Sequence, residues 1–472
     1  MDDTAMELSG RAVCVTGLGV TGPPVVHALL AKGARVTVVD GRDDEANRER
    51  AEELRAAGAG VGLGAAAVLP GDTGLVVTTP GWRPDSPLLV GAAEAGIEVI
   101  GDVELAWRLK PAEQVWLAVT GTNGKTTTVR MLEAMLRADG RRALAVGNVG
   151  TPVIEAVLAE PSSAEYRDVL AVELSSFQLH WSDTVRPHAA AILNIAPDHL
   201  DWHGGMDPYA EAKAKIYGPG TIRVANTADP VVRALAETRG DPGAPLVGFG
   251  LGTPRAGELG VVEDLLVDRA FVADPRSSAE ELASLADVVP AAPHNVANAL
   301  AAAALARSVG ADPGSVRAGL RDFAPEPHRI AHVATVGGVD YVDDSKATNP
   351  HAAAASLAAY PSVVWVAGGL LKGADVNDLV AGAAGRLRAV VLLGADRSRL
   401  REALAERAPD VPVVDVDRAD DGAMAEVVAA AAGLAAPGDT VLLAPAAASM
   451  DMFVNYAARG EAFAREVRAL AG

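Results

Sequence analysis

Residues Val115–Thr128 read VWLAVTGTNGKTTT, and the fold is decided in this stretch. An apolar run of strand length ends in the glycine loop Gly121-Thr122-Asn123-Gly124-Lys125-Thr126, and a helical pattern follows. A loop of this kind turns backbone N–H groups and a helix N-terminus toward a phosphate chain. Its lysine supplies a point charge, and the Thr126 hydroxyl suits Mg²⁺. Val119 stands where the common G-x-x-x-x-G-K-[ST] pattern has its first glycine, so the match is partial. Nucleotide triphosphate use is the leading expectation. The competing reading is a tight glycine turn with a solvated lysine.

Composition sets the frame around this loop. A chain of 472 residues accommodates about three domains at the usual ~150 residues each. Half the residues are apolar and only 4% aromatic, so cores of Ala, Val and Leu are expected. The formal charge of -20 leaves no net basic field to steer a nucleic acid or an anionic membrane. Phosphates must then be met by locally gathered Lys and Arg. The single cysteine, Cys14, excludes an intramolecular disulfide and sits mid-strand in RAVCVTG, the setting of a buried structural thiol. The opening MDDTAMELSG is acidic and has no apolar core of a signal peptide. The uncharged apolar stretch Val427–Ala436 is too short to cross a bilayer. A soluble, cytoplasmic protein without membrane insertion or nucleic-acid partner is expected.

Strand-length apolar runs alternate with helical patterns almost from end to end, which predicts α/β domains with mainly parallel sheets. The first block has strands at Ala12–Thr16, Arg35–Val39, Leu75–Thr78 and Glu98–Ile100. The second begins near Val115, with Gly240–Gly260 read as loops or hairpins and a helix at Asn295–Arg307. After the Pro-rich hinge Phe323–Pro327 come strands at Val339–Val342, Val363–Ala367, Ala389–Leu393 and Thr440–Ala444, with a helix at His351–Ala359. The division expected is 1–109, 110–325 and 326–472: two Rossmann-like domains flanking a central P-loop ATPase-like one.

In open parallel sheets ligands gather at the carboxyl ends of strands. Four apolar runs of the central block end in polar groups: Trp116–Val119 in the phosphate loop, Ala143–Val146 in Gly147-Asn148, Val169–Val172 in Glu173-Leu174-Ser175-Ser176, and Ala190–Ile195 in Asp198-His199. If these strands are neighbours, Lys125, Thr126, Asn148, Glu173 and His199 converge on one crevice able to hold Mg²⁺ against phosphate oxygens. Singly, Glu173 also reads as a helix-terminal carboxylate and His199 as a loop histidine. Lys213 reads most simply as a solvated helix lysine. A carbamate formed from CO₂ on its amine, a further Mg²⁺ ligand, is the alternative.

The first block places Gly17, Gly19 and Gly22 after a strand and before a helix, with Asp40 closing the next strand. That is a dinucleotide-binding pattern, equally able to receive the pyrophosphate of a nucleotide sugar. In the third block Asp344-Ser-Lys346-Ala-Thr348-Asn349, Gly368–Gly373 with Lys372, and Ala444–Ser449 each follow a strand. Lys346 and Lys372 suit an anionic substrate and Asp344 a ribose hydroxyl; exposed loop lysines are the plainer reading.

In combination, Thr120-Gly-Thr-Asn-Gly-Lys-Thr126, Glu173-Leu-Ser-Ser-Phe-Gln-Leu179, Asp198-His199, His294-Asn295-x-x-Asn298 and Asp344-Ser-Lys-Ala-Thr-Asn349 resemble the Mur ligase family across the whole chain. LSSFQL and DSKATN look like the member that adds D-glutamate to UDP-N-acetylmuramoyl-L-alanine in cytoplasmic peptidoglycan precursor synthesis. The resemblance implies ATP, two Mg²⁺ ions and an acyl-phosphate intermediate. It implies that Gly121, Thr122, Asn123, Gly124, Lys125, Thr126, Thr127, Asn295, Asn298, Arg329 and Asp344 meet ATP. Thr126 and Glu173 would hold one Mg²⁺, and His199 with carbamylated Lys213 the other. Val20, Thr21, Asp40, Gly41, Arg42, Gly81 and Asn148 would meet the UDP substrate, and Lys346, Thr348, Lys372, Ser449 and Tyr456 the D-glutamate. A monomer is expected. Leu370, Gly41 and Tyr456 depart from the residues usual in the family, and Gly41 brings no side-chain hydroxyl. The alternatives are a relative adding another amino acid or extending a folate, an NAD-dependent oxidoreductase built on the first glycine loop, and a non-enzymatic ATP-binding regulator.

Overall fold

Strands buried on both faces read as unbroken Val, Ala, Leu and Ile runs, because helices cover a parallel sheet above and below. The computed structural model describes residues 6–64, 68–420 and 422–471; part of the acidic opening (Met1–Ala5) lies outside them. The first sheet joins β1 (Ala12–Thr16), β2 (Arg35–Asp40), β3 (Gly60–Leu63), β4 (Leu75–Thr78) and β5 (Glu98–Gly101) in the order β3-β2-β1-β4-β5. All its pairs are parallel. The strand order reverses between β1 and β4, so their carboxyl ends flank a natural ligand crevice.

The second sheet contains β6 (Val115–Thr120), β7 (Ala143–Gly147), β8 (Val169–Glu173), β9 (Ala189–Ile192), β10 (Ile222–Asn226), β11 (Leu246–Phe249), β12 (Glu258–Val262), β13 (Leu265–Asp268) and β14 (Glu280–Ser284). Its order is β14-β13-β12-β11-β10-β9-β6-β8-β7, parallel from β7 to β12 and antiparallel over β12-β13-β14. The Gly240–Gly260 stretch, expected as loops or hairpins, instead adds the parallel strand β11 and starts β12. Its many turn residues mask two short strands. β9 also stops at Ile192, three residues before the expected end, which puts Asn194 in the loop that follows.

The third sheet has the order β15-β16-β20-β17-β18-β19, formed by β15 (Ala331–Val336), β16 (Val339–Asp343), β17 (Val363–Gly368), β18 (Leu387–Leu393), β19 (Val413–Asp415) and β20 (Thr440–Leu443). Only the β15-β16 pair is antiparallel. Along β17, Val363, Trp365 and Ala367 enter one core while Val364 and Val366 enter the opposite one, the period-two alternation of a strand. The expected mainly parallel α/β class holds, as does the buried Cys14, whose thiol burial pushes up to about 12. Among the described residues no helix is long and apolar enough to cross a membrane.

The chain forms two compact units. The first carries the first two sheets, and the second carries the third sheet from Phe323 onward together with Ala196–Asp198 and Val288–Val296. Within the first unit the two sheets share one hydrophobic core, in which Val15 and Val77 belong to the same cluster as Trp116 and Val172. Trp107, from the helix Asp102–Leu109, meets Trp116 edge-on at 5.2 Å. On the same helix, fully buried Glu104 accepts from the backbone N–H groups of Asp183 and Thr184, both at 2.9 Å, and from Arg108 Nε at 2.8 Å. Removing a buried, hydrogen-bonded carboxylate strands its donors. Glu104→Ala is expected to lower the urea midpoint of this unit by the equivalent of about 3 kcal/mol, followed by tryptophan fluorescence. An unchanged midpoint would deny Glu104 its role in joining the sheets.

Candidate functional site

The phosphate loop leaves β6 and enters the helix Lys125–Ala138 through Gly124, which caps it at φ +88°. A Cβ at Gly124 would lie 2.4 Å from Asn298 Oδ1, so both the left-handed backbone and the space require glycine. The loop is clasped from β9's far end. Thr122 N–H donates to the Asn194 carbonyl at 2.9 Å, Asn123 N–H to Asn194 Oδ1 at 2.8 Å, and Asn194 Nδ2 back to the Asn123 carbonyl at 3.0 Å. The Lys125 amine folds over its own loop, 3.0 Å from the carbonyls of both Gly121 and Thr122. The competing reading, a glycine turn with a solvated lysine, is not what forms: the lysine is held at the mouth of the loop.

β8 lies between β6 and β7, and Glu173 at its end pairs with Val119 on one side and Gly147 on the other. Gly147, at φ +106°, lets β7 close here, since a Cβ would sit 2.3 Å from the Glu173 carbonyl. The Glu173 side chain is only 1% exposed. Thr126 Oγ1 donates to its Oε2 at 2.8 Å, and Asn148 Nδ2 to its Oε1 at 2.9 Å. Three residues expected to converge are thus directly linked, because β6, β8 and β7 are consecutive neighbours.

Lys213, expected most simply as a solvated lysine, is instead 2% exposed. Its Nζ lies 2.8 Å from the Gly121 carbonyl and 4.8 Å from the centre of the Tyr209 ring, while Tyr209 shares a 2.9 Å hydrogen bond with Thr122 Oγ1. A helix lysine this deep is drawn in by the Gly121 carbonyl and the aromatic face. His199 caps the helix Leu200–His203 at φ +54°, its ring 4.7 Å from that of Phe177. Nearby, burial pushes the His203 imidazole down to about 4, so it stays neutral, 2.9 Å from Ser176 Oγ. Among the described residues no three His, Cys, Asp or Glu side chains cluster tightly enough to hold a metal by themselves. The Thr126 hydroxyl and Glu173 carboxylate nonetheless suit Mg²⁺, a hard ion that takes one or two protein oxygens and completes its shell from phosphates and water.

Beside this array lies a cavity of about 620 Å³ at the β1–β4 switch point. Gly17, Val20, Thr21, Asp40, Arg42 and Gly81 line one wall and Asn148 and Gln178 another. All the expected UDP-side residues therefore share one cavity except Gly41, which is exposed and does not line it. Asp40 accepts from Leu18 N–H at 2.7 Å and Arg42 N–H at 2.9 Å, holding the glycine loop to the next strand end. Burial raises the nearby Asp102 carboxyl to about 6.

In the second unit, the side chain of Asn295 donates to the carbonyls of Val289 and Pro290. Asp344 is buried, accepts from Ser356 Oγ and from Ile330 N–H at 3.3 Å, and is raised to about 6 by desolvation. Arg329 stands between His328 and Ile330, both in the left-handed region at φ +63° and +49°. Lys346 Nζ lies 3.9 Å over the Tyr456 ring. Leu370 exchanges two 2.9 Å backbone hydrogen bonds with Ala448, a contact that does not depend on its side chain. The clasp from Asn194 and the Tyr209–Thr122 bond escaped the sequence reading. Asn194 falls inside the run read as strand through Ile195, and its own amide, set between Leu193 and Ile195, is the one polar break that signals it.

Residues 11–101 match the family model of the Mur ligase MurD-like N-terminal domain, residues 119–306 the Mur ligase middle domain, and residues 328–447 the Mur ligase glutamate ligase domain. The chain is 78% identical over 467 residues to the UDP-N-acetylmuramoylalanine--D-glutamate ligase of Thermobifida fusca, covering 99% of this chain and 100% of that one. In fold it is similar to a pseudomurein peptide ligase type C from Methanothermus fervidus (TM-score 0.57, 18% identity, 98% and 99% covered). It is likewise similar to the MurF ligase of Thermotoga maritima in complex with ADP (TM-score 0.56, 17% identity, 98% and 99% covered). With a full-length relative at this identity and matches in all three sheets, the chain belongs to the Mur ligase family.

Proposed function

We propose that this protein joins D-glutamate to UDP-N-acetylmuramoyl-L-alanine by an ATP-dependent amide bond, acting through domains at 1–109, 110–325 and 326–472. One observation carries the reading: Asn148 lines the cavity at the first glycine loop and is hydrogen-bonded to Glu173, which is hydrogen-bonded to Thr126 of the phosphate loop. A nucleotide sugar held in that cavity would bring its carboxylate up to the γ-phosphate of a bound ATP. The 78% identity to a relative named for this reaction supports the choice of substrates.

The chemistry follows from what these groups do. The N–H groups where the loop enters the helix Lys125–Ala138, together with Lys125, would hold the phosphates, and Asn298 packs against Gly124 where the nucleotide would continue. Carboxylate oxygen attacks the γ-phosphorus, ADP leaves, and an acyl-phosphate forms. The D-glutamate nitrogen then adds to the acyl carbon, loses a proton, and the tetrahedral adduct expels inorganic phosphate. Phosphoryl transfer of this kind needs positioning and charge neutralisation more than covalent help from the protein. Mg²⁺ held by Thr126 and Glu173, with a second ion at His199 and Lys213, would neutralise phosphate charge. Lys213 would serve as a carbamate, formed when its neutral amine adds CO₂ and releases a proton. Its enclosure beside the phosphate loop keeps the amine next to the Gly121 carbonyl, where the carbamate would form. Arg329 and Asp344 are assigned to ATP, and Lys346, Thr348, Lys372, Ser449 and Tyr456 to the amino-acid substrate.

Sustained release of ADP and phosphate over many turnovers is expected only when ATP, UDP-N-acetylmuramoyl-L-alanine and D-glutamate are all present, and Lys125→Ala should reduce it by roughly a thousandfold. Full turnover with another amino acid and none with D-glutamate would transfer the chain to a different reaction. Incubation with ¹³C-bicarbonate should give a carbamate carbonyl resonance that disappears in Lys213→Ala. Identical spectra from the two proteins would remove the carbamate.

A further inference from the structure

Arg459 lies in the helix Tyr456–Ala471, is 1% exposed, and takes no part in the mechanism above. Its Nε donates to Ser345 Oγ at 2.9 Å and its Nη2 to the Ser345 carbonyl at 2.9 Å. Both terminal nitrogens donate to the Ala447 carbonyl at 3.1 Å, and Nη1 reaches the Gly368 carbonyl at 3.4 Å. These acceptors sit on three segments that leave the adjacent strands β16, β20 and β17. The first carries Lys346 and Thr348, the second Ser449 and the third Lys372. Ser345 Oγ in turn donates to the Tyr456 carbonyl at 2.7 Å, tying in the fifth residue assigned to the amino-acid substrate.

The same segments are stitched to one another. Ala446 N–H meets the Ala347 carbonyl and Gly368 N–H the Pro445 carbonyl, both at 2.9 Å. The acceptors that meet the Arg459 guanidinium are neutral carbonyls and a hydroxyl, with Asp451 and Asp343 acting on it only through space. Burying a cation among neutral acceptors is costly. Desolvation lowers Arg459 only to about 10, so it remains charged at neutral pH. A purely structural link would be made at lower cost by apolar packing. The planar five-donor fork is what reaches all three segments at once, and a lysine has no equivalent.

We infer that Arg459 is a positioning residue that holds the three substrate-facing segments of the second unit in one register and thereby sets affinity for the amino-acid substrate. The inference rests on the assignment of D-glutamate to those segments. It is tested by steady-state kinetics of the full chain, wild type beside Arg459→Lys and Ser345→Ala, with circular dichroism melts of each. Arg459→Lys is expected to raise the KM for D-glutamate by roughly tenfold or more. The KM values for ATP and UDP-N-acetylmuramoyl-L-alanine should stay within about twofold. Ser345→Ala, which keeps the guanidinium and removes one acceptor, should raise the D-glutamate KM by roughly threefold, and it carries the test alone if the lysine variant does not fold. A D-glutamate KM unchanged in the folded variants, or one that rises in step with the other two, overturns the inference. No turnover of D-glutamate by the wild type would instead overturn the proposed reaction, so the two failures are distinct.

Discussion

Glu173 is the constraint on which the site depends. A carboxylate buried to this degree is unfavourable by several kcal/mol unless its oxygens are met by donors. Here both are met, by Thr126 and Asn148, and both donors are neutral. The hydrogen bonds fix the carboxylate without cancelling its charge, leaving negative potential where a divalent cation would bridge to phosphate. The backbone enforces the arrangement, because Glu173 sits on the strand between the phosphate loop and Asn148, and Gly147 alone lets the third strand close beside it.

From that carboxylate the chemistry divides along the sheet. On one side lies the loop, clasped by Asn194 and bearing Lys125, which would take the triphosphate. On the other, Asn148 opens into the cavity whose far wall is the first glycine loop, pinned by Asp40. Burial explains why the residues between them hold position: Lys213 and Glu173 are almost wholly enclosed, so few rotamers remain to them.

Much of this was legible in the sequence, for identifiable reasons. Apolar runs of strand length alternating with helical patterns gave the parallel strands, and the rule that ligands gather at carboxyl ends of strands grouped Lys125, Thr126, Asn148, Glu173 and His199, of which Thr126, Asn148 and Glu173 are directly hydrogen-bonded. Three things were hidden. Leu246–Phe249 is too short and too crowded by Gly and Pro to announce a parallel strand. Lys213 lies in the helix Met206–Ala214, whose pattern shows no pronounced apolar face, so only the fold reveals its burial. Asn194 clasps the loop from a segment that hydropathy assigns to a strand. In each case the decisive partner is distant in sequence, and local patterning does not register it.

The acyl-phosphate is the central claim, and an isotope measures it directly. UDP-N-acetylmuramoyl-L-alanine carrying ¹⁸O in its alanyl carboxylate is turned over with ATP and D-glutamate, and the released phosphate is weighed by mass spectrometry. The account predicts that one carboxylate oxygen passes to phosphate in every turnover, so that phosphate carries ¹⁸O in proportion to the label. Phosphate free of ¹⁸O, with product still formed, would contradict it.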